Sequence, residues 1–291
     1  HQRVLKRSTI KGYFHNRTST QGGEFMGDNF NRNTGLEFNY RSLDGKLESF
    51  AGYGMSFSDG IPNKDNYFYN IGGGYDTRTF SVYSNLAGVG NNYYADMGFL
   101  PVINHYDAVR DTSIHIGFQH WYTTATYTLF PKNQTKIISH RFGLRDVFDA
   151  RSDDWELINN RLIFTYDLQM KNSSRLGVEF NRNNTNLLFP FGFVSGDDVE
   201  PLPAGRYGYS FAGIEYSSDT RKALFYSASL EYGDFYNGTR LGYALQLNYR
   251  VQPWGNFGIN FVQNNLKFPE PYGETSLFLI GPKIEINFNT N

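Results

Sequence analysis

Apolar side chains recur at every second residue along most of this chain, the period of a β-strand that turns one face to an apolar medium. Leu241, Tyr243, Leu245, Leu247, Tyr249 and Val251 alternate with Arg240, Gly242, Ala244, Gln246, Asn248 and Arg250. Leu36, Phe38 and Tyr40 alternate with Glu37, Asn39 and Arg41, and Leu176, Val178 and Phe180 with Arg175, Gly177, Glu179 and Asn181. Stretches 47–58, 67–76 and 256–261 repeat the pattern. One face is Leu, Tyr and Phe; the other is Gly, Asn, Ser and charge. A soluble β-sandwich alternates too, although its outward face is usually rich in Lys, Glu and Thr. Alternation alone leaves barrel and sandwich open.

The connections separate them. Turn signals predict long links at Asn16–Asn33, Val89–Ser113 and Thr185–Gly205, with longer ones also at Asp59–Asn66 and Asn264–Thr275. Intermediate links are predicted at Ala150–Asp154 and Asp234–Thr239. Between them fall short turns at 43–46, 76–78, 131–134, 171–174, 217–221 and 252–255. Long loops on one rim and tight turns on the other is the asymmetry of outer-membrane barrels. A Greek-key sandwich has no reason to sort its loops by parity. The prediction is an all-β fold, an antiparallel up-and-down transmembrane β-barrel with about 14 strands in this chain. The first strand is expected at Arg7–His15 and the last at Ser276–Phe288. Thr112–Phe130 is long for one span, and Arg145–Leu162 has room for a helical turn near Trp155. Gly281-Pro282 predicts a bulge or bend, because proline cannot donate to the ladder.

Composition narrows the functional classes. The 291 residues carry 27 Lys+Arg against 28 Asp+Glu, a net charge of -1, which removes the basic face that nucleic acid requires. Yet 26 Phe and 22 Tyr sit in a chain of mean hydropathy -0.51, as in a barrel whose alternate residues meet lipid. No run approaches the roughly 20 apolar residues of a membrane helix. Cysteine is absent, which fits many extracytoplasmic proteins without fixing a compartment. The chain opens His1-Gln2-Arg3 without the apolar core of an export signal, so a processed or truncated start is expected.

Three stretches carry a resemblance: Tyr94-Ala95-Asp96-Met97-Gly98-Phe99-Leu100-Pro101, Tyr232-Gly233-Asp234-Phe235-Tyr236-Asn237-Gly238, and Lys283-Ile284-Glu285-Ile286-Asn287-Phe288-Asn289. Together they resemble the large Bacteroidota outer-membrane barrel domains of unknown function that follow a family-nine carbohydrate-binding-like module. Members often carry Arg just after the Gly-Phe-x-Pro stretch, where this chain has Val102. The resemblance implies a longer polypeptide and a link to glycans. With no terminal aromatic at Asn291, residues 1–291 are expected to be one outer-membrane barrel domain, incomplete at one or both ends and part of a larger barrel.

Candidate chemistry is sparse. Gly208-Tyr209-Ser210-Phe211-Ala212 nearly matches a nucleophile elbow, but strand alternation runs through it, and the plainer reading is a lumen-facing strand serine. His115 and His120 are five apart, on opposite faces of one strand, and cannot share a metal without a bulge. Asp197, Asp198 and Glu200 read as a solvated acidic loop rather than a calcium site, as do Asp149, Asp153 and Asp154. No catalytic residue, cofactor or metal is predicted.

Arg141, Arg145, Arg161, Arg175, Glu179, Glu231, Arg240 and Arg250, with Asp167, fall on the predicted inner face. They form either a polar lumen that selects solutes or a salt-bridged ladder bracing the wall. The aromatics are read as lipid contacts and interface girdles, with Tyr93, Tyr94 and Tyr106 in the longest loop as the best candidates for sugar stacking. The sequence predicts a channel or uptake barrel in a Gram-negative outer membrane, in contact with lipid and linked to glycan handling. The alternative is a structural or accessory subunit without an open pore, partnered by other outer-membrane or periplasmic proteins.

Overall fold

The two-residue period becomes strand over fourteen long segments. A computed structural model describes residues 2–5 (backbone only), 7–96, 104–133, 136–194, 196 and 199–286. A short β1 (Gln2–Leu5) precedes β2 (Ser8–Gln21), β3 (Glu24–Arg41), β4 (Leu47–Ser58), β5 (Tyr67–Asp76) and β6 (Phe80–Val89). Two four-residue strands, β7 (Asn104–Asp107) and β8 (Thr112–His115), form a separate hairpin within the next loop. The wall resumes with β9 (Phe118–Leu129), β10 (Ile137–Arg151), β11 (Leu157–Met170), β12 (Arg175–Leu187) and β13 (Gly205–Ser217). It continues through β14 (Leu224–Phe235), β15 (Gly238–Val251), β16 (Gly255–Lys267) and β17 (Glu274–Ile286).

Every wall strand is antiparallel to the next in the chain, with β6 pairing directly with β9, and the separate β7–β8 pair is antiparallel too. The architecture is all-β, an up-and-down β-barrel wall of fourteen long strands with β1 added at one edge. Among the described residues no ladder joins β17 to β1 or β2.

Strict alternation puts the links 42–46, 77–79, 171–174, 218–223 and 252–254 on one rim. The links 59–66, 90–117, 152–156, 188–204 and 268–273 lie on the other. Asp44 and the longest loop therefore stand at opposite rims, as the loop parity predicts.

Several local expectations need correction. Asn16–Asn33 is not a loop: β2 and β3 run on as a hairpin to a two-residue turn at Gly22-Gly23, whose φ values are 63° and 91°. Positive φ at both positions gives a turn whose twist matches the strands, and glycine adopts it without a steric penalty. Asp234–Thr239 closes equally tightly, over Tyr236-Asn237. Thr112–Phe130 is long because it holds β8 as well as β9, and Trp155 sits in a turn at φ 60° rather than in a helix. Pro282 stands opposite Ile259 with no break in register. As β17 is the outermost strand, proline's missing N–H can face the free side.

Directly opposed residues share a face, so the register carries face assignment across the whole wall. Ile10, Leu36, Tyr53, Ile71, Trp121, Phe142, Phe164, Val178, Ile214, Leu230, Leu245 and Ile259 fall on one face. The most buried strand side chains of the other face include Asn31, Ser56 and Asn181, each 2% exposed. Leu36 and Tyr232, on the first face, are 64% exposed. This inverts the soluble-protein arrangement, in which large apolar side chains are the ones withdrawn from water.

The glycines of the polar face have a packing role. A Cβ on Gly35 or Gly54 would collide with the Tyr13 ring, and one on Gly72 with the end of Phe50. Aromatic rings thus lie across gaps that glycine leaves in neighbouring strands.

Candidate functional site on the polar face

The eight Arg and Glu residues predicted to face inward, and Asp167 with them, share the polar face. Arg141 and Arg145 sit on β10, Arg161 on β11, Arg175 and Glu179 on β12, Glu231 on β14, and Arg240 and Arg250 on β15. Their partners divide them. Arg175 Nε donates to Asp167 at 2.9 Å, and Arg240 lies 2.9 Å from Glu231 while also reaching Asn264 at 3.2 Å. Each pair ties adjacent strands and braces the wall. Glu179 accepts from Asn181 on its own strand, and the Arg250 guanidinium lies over the Phe225 ring at 5.2 Å. Among the described residues Arg141, Arg145 and Arg161 have no carboxylate within ion-pair distance, and all three are exposed. They form a basic strip on β10 and β11.

The other candidates are dispersed. Ser210 is corrected: the register puts it with Ala212 and Ile214 on the apolar face, not the polar one. His115 and His120 lie on different strands, β8 and β9, and His120 Nδ1 is 2.6 Å from Asp149 across to β10. Asp153 is held by Arg151 and does not converge with Asp149. Asp197 and Asp198 lie outside the described residues, as do Met97–Pro101, Val102 and Asn287–Asn289; the backbone N–H of Glu200 donates to Pro271.

What sequence reading missed is the course of the loop 90–117. Asn31 Nδ2 donates to the Tyr94 carbonyl at 2.9 Å, and the Tyr94 N–H donates to Ser56 Oγ at 2.9 Å. Arg17 pairs with Asp96. Asn31, Ser56 and Arg17 all belong to the polar face, on β3, β4 and β2, so the loop folds onto that face. On the far side the Ala108 N–H, at the β7–β8 tip, donates to the Pro190 carbonyl after β12 at 3.1 Å. The described residues of the loop thus touch the polar face of β2–β4 on one side and the 188–204 link on the other.

Its base is clamped. Gly90 N–H donates to Tyr67 at 2.9 Å, Gly117 N–H to Asn91 Oδ1 at 2.6 Å, and Ser152 N–H to the Gly117 carbonyl at 3.0 Å. Tyr93 is buried against Phe68 and Phe118, and Tyr94 stacks on His115 at 4.5 Å between ring centres. Of the three candidate stacking tyrosines only Tyr106 stays largely exposed, its hydroxyl donating to Asp111 at 2.8 Å. The 188–204 link is pinned in turn: Phe193 packs against Tyr236, Phe235 and Phe268 at 4.7, 5.3 and 5.6 Å. That packing also holds Tyr236 at φ 55°, a conformation disfavoured for a side chain with a Cβ.

The loop hairpin should loosen in acid. Burial lowers the pKa of both His105 and His115, with Arg151 adding repulsion at His105, and neither Nε2 has a hydrogen-bond partner among the described residues. Their neutral forms are favoured in the folded loop. Stability is therefore full above the ordinary value of 6.5 and falls as the pH drops through it towards the lowered folded values. Corrected for the intrinsic pH dependence of amide exchange, the protection of residues 104–115 is expected to fall between pH 7 and pH 5 while that of β15 stays constant; equal behaviour of the two would contradict this.

No family model matches the chain, and no curated protein matches it. Among solved structures it is similar to a refined structure of porin at 13% identity, covering 95% of this chain and 100% of that one with a TM-score of 0.43. It is also similar to OccAB4 of Acinetobacter baumannii at 10% identity, covering 95% and 97% with a TM-score of 0.42. At such TM-scores neither likeness bears on function, and the functional reading rests on the chain's own residues.

Proposed function

We propose that this chain forms the wall of a channel in a Gram-negative outer membrane, with the polar face as its lumen and the loop 90–117 as its constriction. The observation that carries the reading is the loop's tie to Asn31, Ser56 and Arg17 on a face whose opposite side is exposed and apolar. Among the described residues of the polar face none has the paired geometry of a nucleophile and its base, and transport is the role assigned to it. The resemblance to barrels that follow a carbohydrate-binding-like module supports glycans as the solute class.

The basic strip gives the lumen a local anion preference. In planar bilayers the chain is expected to conduct and to favour chloride over potassium. Arg145→Glu combined with Arg161→Glu should lower the chloride-to-potassium permeability ratio by roughly twofold or more. A reversal potential unmoved by both charges would remove the strip from the conduction path. Slowing of the current by a neutral oligosaccharide, and not by glycerol, would support the glycan assignment.

One observation favours the accessory-subunit reading. Over Leu277–Ile280, β17 is apolar on both sides, with Leu277 and Leu279 59% and 63% exposed on the polar side and Phe278 and Ile280 58% and 51% on the other. Silent bilayers together with a stoichiometric co-purifying protein would favour this role.

A further inference from the structure

On the outer face of β2–β4 two cavities adjoin. The upper, of about 380 Å³, lies at the long-loop end and is lined by Phe14, Phe30, Arg32, Thr34, Phe57 and Ile61, with Asp59 at its rim. The lower, of about 560 Å³, continues down the same face between Gly12, Leu36, Tyr53 and Met55. Phe14 and Thr34 line both, so a charged pocket opens into an apolar groove.

Arg32 is the cationic group of the upper cavity, whose other polar lining is Asn33, Thr34, Ser58, Asp59 and Asn63. Its Nε donates to Asn16 Oδ1 at 3.1 Å and its guanidinium lies over the Phe30 ring at 4.3 Å. No ion pair to Arg32 exists among the described residues, and its two terminal nitrogens have no hydrogen-bond acceptor there. A guanidinium fixed at one edge and open at the other presents the fork that binds phosphate in a bidentate manner.

Depth points to a lipid rather than a soluble anion. From Tyr40, near the short-turn rim, Arg32 lies eight residues up β3, about 27 Å along the strand. At a tilt of about 40° that is roughly 20 Å along the membrane normal, in the upper part of an apolar band roughly 25 Å tall. Other charged strand residues of the outer face, Asp146, Arg182, Arg206, Asp234, Lys267 and Glu274, also lie towards this end. From there a long arginine side chain can extend up to the phosphate groups of the adjoining leaflet, whose acyl chains lie along the apolar face.

We propose that Arg32 binds the phosphate of an anionic membrane lipid whose acyl chain occupies the groove lined by Gly12, Leu36, Tyr53 and Met55. The inference rests on the assignment of the apolar face to the bilayer. Its test is native mass spectrometry of the refolded full chain with diacyl phosphatidic acid or phosphatidylcholine of the same chains. The chain is expected to retain phosphatidic acid preferentially, and inorganic phosphate should not displace it. Arg32→Gln should lower that preference by roughly tenfold, whereas Arg78→Gln at the opposite rim should not. Gly12→Leu should reduce retention of phosphatidic acid with the charge intact, since a Cβ there meets only Leu36 Cδ2 at 3.4 Å and the Gly35 carbonyl at 3.9 Å. Equal retention of both lipids, Arg32→Gln without effect, or displacement by inorganic phosphate would each overturn the lipid site alone. If neither lipid is retained, the assignment of this face to the bilayer falls with it.

Discussion

Leu245→Arg is expected to destabilise the folded wall by roughly 2–4 kcal/mol, the cost of an arginine near the bilayer midplane, while Gln246→Arg one residue on should stay within about 0.5 kcal/mol. The two positions are midway along β15. Leu245 stands opposite Ala228 and Phe261 on the apolar face, and Gln246 opposite Ser227 and Asn260 on the polar face. A single step along a strand thus reverses the solvent that the new charge meets. Reversible unfolding in lipid vesicles measures both variants against the parent chain. The two-position contrast is the diagnostic quantity, because a loss of packing alone would not depend on lipid. If both variants lose stability equally, or if the difference is the same in detergent-free buffer as in vesicles, the apolar face does not meet hydrocarbon.

Much of the wall was legible in the sequence because a strand with two unlike faces writes its period into the chain. Leu241–Val251 alternates without a break, and the structure places all of it in β15. The eight charged residues share one face for the same reason: parity is fixed locally, and antiparallel pairing carries it from strand to strand. Link lengths were less legible. Asn16–Asn33 is polar except at Phe25, Met26 and Phe30 and reads as loop, yet Gly22-Gly23 holds the signal of a two-residue hairpin turn. Polarity misleads there because strands that extend past the apolar band lose the alternation that marks them.

The inward loop was not legible, and the reason is physical. Its anchors on the polar face are the Arg17–Asp96 ion pair and hydrogen bonds that join Asn31 and Ser56 to the backbone of Tyr94, 63 and 38 residues away in sequence. Small polar residues are common on the polar face of any such strand, so nothing distinguishes an anchor from a residue facing water. Likewise Arg32 reads as one polar residue among the asparagines of β3. Only the register, which turns it outward while Asn31 and Asn33 turn inward, makes its unpaired guanidinium informative.

Prising open the base of the loop should change conduction more than any charge substitution in the lumen. A Cβ on Gly117 would come within 3.0 Å of the Val89 carbonyl, Ser152 Oγ and the Asn91 N–H, and one on Gly90 would enter the Asp65 carbonyl. Both glycines let backbones touch where the loop leaves β6 and enters β9. Gly117→Val must displace those backbones, and overpacking of this kind costs roughly 1–3 kcal/mol. The cost falls on the latched state, because the released loop no longer presses against Val89 or Ser152. Each 1.4 kcal/mol then multiplies the ratio of released to latched loop by about ten. In planar bilayers Gly117→Val is expected to lengthen and multiply open events, and replacing 104–115 by a short glycine linker to fix the channel at its higher conductance. The linker variant keeps the base clamp and removes the hairpin that reaches Pro190, so it separates obstruction by the hairpin from strain at the base. Should both variants fold, as judged by strand content, and conduct no more than the parent chain, the loop is not the constriction and the lumen is closed elsewhere.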